Sequence, residues 1–173
     1  PAHEQRFFDL LESQSHQNLA ALSTYLSDAR KEILERMDLV NDSLAQVPFN
    51  QSTNQTTYLQ IDPSDRQLPD VREFKQEIQQ ALSHAWSEDR ELAESRFLAL
   101  RRLVERLSSQ EPDNKRWRQV VLDVRQHMEF IGRETDESGV EVEVYRSGSG
   151  KSGGQRQKLA TTCLAAALRY QLG

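Results

Sequence analysis

Cysteine is nearly absent from this chain. Cys163 is the only one in 173 residues, so no internal disulfide can form and a reducing, cytoplasmic setting is expected. It lies among Leu and Ala in a helical pattern and reads as a packed core thiol rather than a nucleophile. Long apolar runs are missing too: none approaches the roughly 20 residues of a membrane span, so no membrane partner is expected. Hydrophobic residues make up 36% and aromatic ones 7%, against 28% charged, and mean hydropathy is −0.75. That balance suits a soluble protein with much exposed helix rather than one tight globule. The opening Pro1-Ala2-His3-Glu4 has neither a signal-peptide pattern nor an initiator Met and reads as a processed or excised start. A net charge of −5 argues against a basic nucleic-acid binder acting through its whole surface. His3, His16, His84 and His127 are scattered, without ligand-like spacing to Cys163, so no metal site is expected. His127 reads as solvated on the polar face of a strand. Asp136 and Glu137 pair two carboxylates inside a turn signal, and no catalytic residue is assigned.

What charge there is lies unevenly. After Glu143 no Asp or Glu occurs, while Arg146, Lys151, Arg156, Lys158 and Arg169 do. An acid-free basic stretch around glycines suits phosphate. The alternative is a basic face answering an acidic partner.

The first segment, residues 1–47, reads as one long helix. Leu19, Leu26, Ile33 and Val40 recur every seven residues, with Leu22 and Ala29 as a second seam that slips to Met37 and Leu44. A helix of roughly 40 residues at about 1.5 Å each spans about 60 Å, which favours an antiparallel coiled coil lacking its partner strand over an ordinary bundle helix. Pro48 ends it. Residues 48–173 form the second region. Thr57 to Ile61 suggests a strand and Asp62-Pro63-Ser64-Asp65 a turn. Pro69-Asp70 opens a helix through Val71, Phe74, Ile78 and Leu82, and a third runs from Ser87 to Leu107, placing strand and helices over 56–107. Arg101, Arg102 and Arg106 read as a solvated face rather than a DNA contact, and Trp86 and Trp117 as packing residues beside Phe97 or the hairpin that follows. Beyond Ser108–Asn114 the period becomes two: Leu122, Val124, Met128 and Phe130 alternate with polar residues, then Val140, Val142 and Val144 with Glu141 and Glu143. The expectation is a β-hairpin over 118–146, turning at Asp136–Gly139. The fold class is therefore a helix-rich α+β.

Gly148-Ser149-Gly150-Lys151-Ser152 invites a P-loop reading. That loop needs a first glycine at position 145, where Tyr145 stands, and the reading is rejected. Ser152-Gly153-Gly154-Gln155 at the mouth of an apolar helix fits better, with the turn and helix over 147–173. The glycines let an anion approach the backbone, Ser152 stands at the N-cap position, and the helix N-terminus faces the anion. Lys151 and Arg156 add mobile charge. Leu159, Cys163, Leu164, Ala166, Ala167 and Leu168 cover most of the circumference of this helix, so it is expected to be buried nearly all round. The alternative is a glycine turn that merely caps a core helix in a non-nucleotide helical scaffold.

Ser-Gly-Gly-Gln is the signature sequence of ABC-type ATPases. A long helix, an α/β lobe and this turn together resemble the C-terminal half of an SMC-type or SbcC/Rad-fifty-type head. Gly150 to Ala160 is most similar to the SMC-like ATPase of bacterial Wadjet defence systems, the JetC type, and Val40-Asn41-Asp42-Ser43-Leu44, Pro48-Phe49 and Asp123-Val124-Arg125 also resemble it. The likeness spans Asp38 to Gly173. It implies a coiled-coil neck followed by a partial ABC/SMC head lobe, and a fragment of a DNA-translocating or loop-extruding, condensin-like machine that restricts plasmids. The implied cofactor is ATP with Mg, held mainly by other lobes or subunits. The implied partners are the N-terminal head lobe, a second copy of the subunit, kleisin and winged-helix proteins, a nuclease subunit and double-stranded DNA. By position, Ser152, Gly153 and Gly154 would contact the γ-phosphate across the dimer, with Lys151 and Gln155 beside them. Lys151 departs from the Leu usual in the general motif, which makes a transporter head an unlike match. The sequence holds neither a P-loop nor an apolar run ending in Asp-Glu, so the chain alone is expected to be inactive.

Overall fold

Two prolines and one aspartate set the starts of three helices. The computed structural model describes the backbone of residues 2–83, 88–146 and 153–172, and the side chains of 13–83, 88–146, 153–154 and 157–167. Helix α1 covers Ala2–Leu44, followed by strands β1 (Asn50–Gln51) and β2 (Thr56–Asp65). Helices α2 (Pro69–Leu82), α3 (Arg90–Ser108) and α4 (Pro112–Val121) come next, then a 3₁₀ turn (Val124–His127). Strands β3 (Met128–Asp136) and β4 (Glu141–Tyr145) lead to helix α5 (Gly153–Leu172). Pro69 and Pro112 occupy first-turn positions, where their missing N–H costs nothing. Asp89 caps α3 by accepting from the amides of Glu91 at 2.9 Å and Leu92 at 3.4 Å. The helix-rich α+β class is as expected.

The chain divides into two compact units, Pro1–Arg30 with Gln67–His127, and Lys31–Arg66 with Met128–Gly173. In the first unit, α2 buries Val71, Phe74, Ile78 and Ala81, spaced on one helical face. Leu100 and Leu103 of α3 and Trp117 and Val121 of α4 are also buried. Trp117 meets Phe74 edge-to-face, with ring centroids 5.4 Å apart, and the Arg106 guanidinium lies 3.9 Å from its ring centroid. Trp117 is thus a packing residue, with Phe74 rather than Phe97 or the hairpin as its ring partner, and Arg106 is a stacked cation. Arg118 donates to the carbonyls of Leu107 at 2.6 Å and Ser109 at 3.0 Å, satisfying the end of α3. Leu19 and Leu26 of α1 are buried within the single chain.

The second unit is an antiparallel sheet in the order β1-β2-β3-β4, with the end of α1 and part of α5 on its core. Val40, Leu44, Phe49, Leu59, Ile61, Tyr145 and Ala166 make up that core. The Asn41 side chain on α1 accepts from the Ile61 amide and donates to the Ile61 carbonyl, both at 2.8 Å, as a neighbouring strand would. This explains one departure from expectation: residues 62–65 are not a turn but continue β2. Backbone groups two residues apart point the same way, so Pro63, like Ile61, turns its nitrogen away from β3 and sacrifices no ladder bond.

A second correction concerns residues 118–127, expected as the start of a hairpin. They are the end of α4, a short connection and the 3₁₀ turn. Trp117, Val121 and Val124, all buried, are spaced four and three apart, a helical stripe that overlapped the two-residue alternation. The hairpin itself is β3–β4. Its turn is held by Asp136, whose carboxylate accepts from the amides of Ser138 and Val140, both at 2.9 Å, with Gly139 at φ +83°. Phe130, Val140 and Val142 are exposed, while Tyr145 is buried. His127 is not solvated either: it is buried and its Nε2 lies 2.8 Å from the Val120 carbonyl.

Candidate nucleotide-contact site

The end of β4 and the start of α5 flank the glycine-rich segment. Lys151 and Ser152 lie outside the described residues, so the N-cap position expected of Ser152 does too. Gly153 and Gly154 are the first two residues of α5, exposed, and a Cβ at either would meet nothing within 4 Å. Gln155 follows in the first turn, with its side chain outside the described set, as is that of Arg156. The first-turn amides of a helix have no partner within it and carry the positive end of its dipole. Among the described residues nothing crowds Gly153 or Gly154, and no acidic residue lies anywhere on α5. The residues present fit a phosphate group at this point.

α5 is not buried nearly all round, contrary to expectation. Leu159, Cys163 and Ala167 pack against the core beside buried Ala166, a stripe on one face, while Leu164 on another is 61% exposed. Small side chains are the reason: alanines fill a helix circumference without requiring cover on every side. Burial pushes the Cys163 thiol up from its ordinary value, consistent with a packed residue rather than a reactive thiolate. Gly132 in β3 faces the helix, and a side chain there would make only ordinary contacts. A Cβ there would lie 3.4 Å from Tyr145 Cβ and 3.7 Å from Leu159 Cδ1.

Residues that sequence patterns did not single out tie the two flanks together. Glu134 of β3 is 4% exposed. Its Oε1 accepts from Thr57 Oγ1 and Asn50 Nδ2, each at 2.7 Å, and its Oε2 from the Tyr145 hydroxyl at 2.9 Å. Asn50 in turn accepts from the Lys158 ammonium of α5, which lies 4.8 Å from the Phe49 ring centroid. Burial, then the Glu134 carboxylate, pushes the Tyr145 phenol up to about 12. On the opposite face of the sheet, Arg133 bridges Asp62 at 2.6 Å and Glu141 at 2.7 Å across three strands. The one available signal for Glu134 was its register: it falls two residues after Gly132 on the buried side of β3, where an apolar residue is the norm.

Residues 119–173 match the family model described as SbcC/RAD50-like, Walker B motif. The matched stretch runs from the last turn of α4 through β3, β4 and α5 and holds every expected site residue. It supports an SbcC/RAD50-like ATPase of the ABC type, and such a family implies ATP and Mg²⁺ for the enzyme as a whole. No curated protein matches the chain. Within 119–173 no four-residue apolar run ends in Asp-Glu; Asp136-Glu137 follows Gly132-Arg133-Glu134-Thr135 and forms the hairpin turn. Among the described residues no helix is long and apolar enough to cross a membrane, and no cluster of three or more His, Cys, Asp or Glu could hold a metal ion.

Proposed function

We propose that this chain supplies the signature-motif half of a composite ATP site in an SbcC/RAD50-like, SMC-like ATPase that moves DNA. The observation that carries the reading is Ser152-Gly153-Gly154-Gln155 opening α5, with both glycines exposed and open to an anion, inside the stretch that matches the family. The Ser152 hydroxyl and the Gly153 and Gly154 amides donate to the γ-phosphate of an ATP bound by another lobe, with Lys151 and Gln155 beside them. The bound Mg–ATP supplies the anion and the bond to be broken. This chain's residues orient that anion and report its presence. Because the sequence carries neither a P-loop nor a Walker B pair, the phosphate cradle, the metal and water activation come from outside it.

The finer placement is an anti-plasmid complex of the Wadjet type, with kleisin, winged-helix and nuclease partners, two copies of the subunit and double-stranded DNA. The likeness of Gly150–Ala160 and of Asp123-Val124-Arg125 favours it. The family match favours the second placement, a repair ATPase of the SbcC/RAD50 kind. Either way the chain alone turns over no ATP. A steady-state phosphate-release assay on the purified chain tests this: turnover that Ser152→Arg abolishes contradicts the division of labour proposed here.

A further inference from the structure

Strand β4 and helix α5 are both tied to one buried carboxylate. Tyr145, the last residue of β4, donates directly to Glu134, and Lys158, in the second turn of α5, reaches it through Asn50. All three donors to Glu134 are neutral, and burying a carboxylate costs several kcal/mol before its hydrogen bonds offset it. Packing alone does not call for such a group. The apolar stripe of Leu159, Cys163 and Ala166 already holds α5 on the sheet. Apolar contact is non-directional and tolerates sliding and rolling of a helix, whereas hydrogen bonds fix direction. The polar chain from Tyr145 to Lys158 therefore adds what the stripe lacks, a fixed axial register for the first turns of α5.

We infer that Glu134, acting through Asn50 and Lys158, is a positioning residue for the Gly153–Gly154 anion turn. It sets where the helix amides stand without touching the nucleotide. The inference rests on the proposed γ-phosphate role of that turn. It assigns Lys158 to the sheet rather than to the phosphate, although Lys158 belongs to the same basic stretch.

Two measurements on the full chain test it. The first is amide hydrogen exchange in Lys158→Met, which touches no donor to Glu134, and in Asn50→Ala, which removes one of them; both side chains are exposed. Exchange should rise several-fold at Gln157–Leu159, whose amides bond back to the carbonyls of Gly153–Gln155, with the unfolding midpoint unchanged in Lys158→Met and lowered only by the lost Glu134 donor in Asn50→Ala; wild-type exchange at those amides in both variants overturns the inference. The second is ATP–Mg-dependent association with the P-loop-bearing lobe, with ADP as control. Both variants should weaken it by about tenfold, the scale of one hydrogen bond to a charged group, and the double variant should be no worse than either single one. Asn50→Ala is the deciding case, because a direct Lys158–phosphate contact would survive it. If Ser152→Arg abolishes association while Asn50→Ala and Lys158→Met match the wild type, the positioning role fails and the γ-phosphate reading stands. If the unaltered chain shows no ATP-dependent association, both fall together.

Discussion

The hydroxyl of Tyr145 donates to the buried carboxylate of Glu134 at 2.9 Å, joining the strand that enters the glycine segment to the centre of the sheet. Desolvation of the phenol and the neighbouring negative charge both favour its neutral form, which is why its pKa rises from 10 to about 12. A folded-state value above the unfolded one stabilises the fold below about pH 10. That contribution is lost as pH rises from about 10 towards 12. Ultraviolet titration should show one of the four tyrosines ionising near pH 12, and Tyr145→Phe should remove that step. The same variant leaves Glu134 one donor short and should destabilise by about 1–3 kcal/mol in urea unfolding.

His127 gives a pH dependence of the opposite kind. Burial chiefly lowers its pKa, and nearby Lys75 adds to this against the opposing pull of the Val120 carbonyl and Asp123. The folded state thus prefers neutral imidazole. Its stabilising contribution is present above the unfolded value of about 6.5 and is lost as pH falls through the lower folded value. Urea midpoints should drop between pH 7.5 and pH 5, and His127→Gln should flatten that part of the profile. An unchanged slope in the variant would show that another group carries it.

Asn41 should matter more than its helical setting suggests. Its side chain makes both backbone hydrogen bonds of Ile61, and Asn41→Leu leaves that buried N–H and C=O without their partner. The expected loss is about 2–4 kcal/mol for two such groups. Asn41→Asp keeps the acceptor for the amide and sets an anion against the carbonyl, so it should not restore the wild-type midpoint.

How far the sequence was legible follows from which signals are local. Pro69 and Asp70 announced α2, Asp136 to Gly139 announced the hairpin turn, and the seven-residue spacing announced α1, because each is written within a few residues. Of that spacing Leu19, Leu26 and Val40 are buried and Ile33 is half-buried. The misreadings came where two periods coincide or where the decisive partner is distant. Trp117, Val121 and Val124 satisfy a helix as well as Leu122, Val124 and Met128 satisfy a strand. Asp62-Pro63-Ser64-Asp65 carries a turn composition, and nothing local to it shows that Asn41, 20 residues before Ile61, takes the place of a neighbouring strand there. The motif places Gly153 and Gly154 at the mouth of a helix, and they do open α5, whereas Glu134, Asn50 and Tyr145 are joined across 84 and 11 residues. Long-range polar pairing of that kind leaves no periodic trace.

In the proposed function this chain reads the γ-phosphate of an ATP held by another polypeptide. Sedimentation of the full chain mixed with the P-loop-bearing lobe measures it most directly, with Mg–ATP against Mg–ADP and with wild type against Ser152→Arg. Association that appears with ATP, is absent with ADP and disappears in the variant is the predicted result. Association that ignores the nucleotide, or that Ser152→Arg leaves intact, would contradict the account.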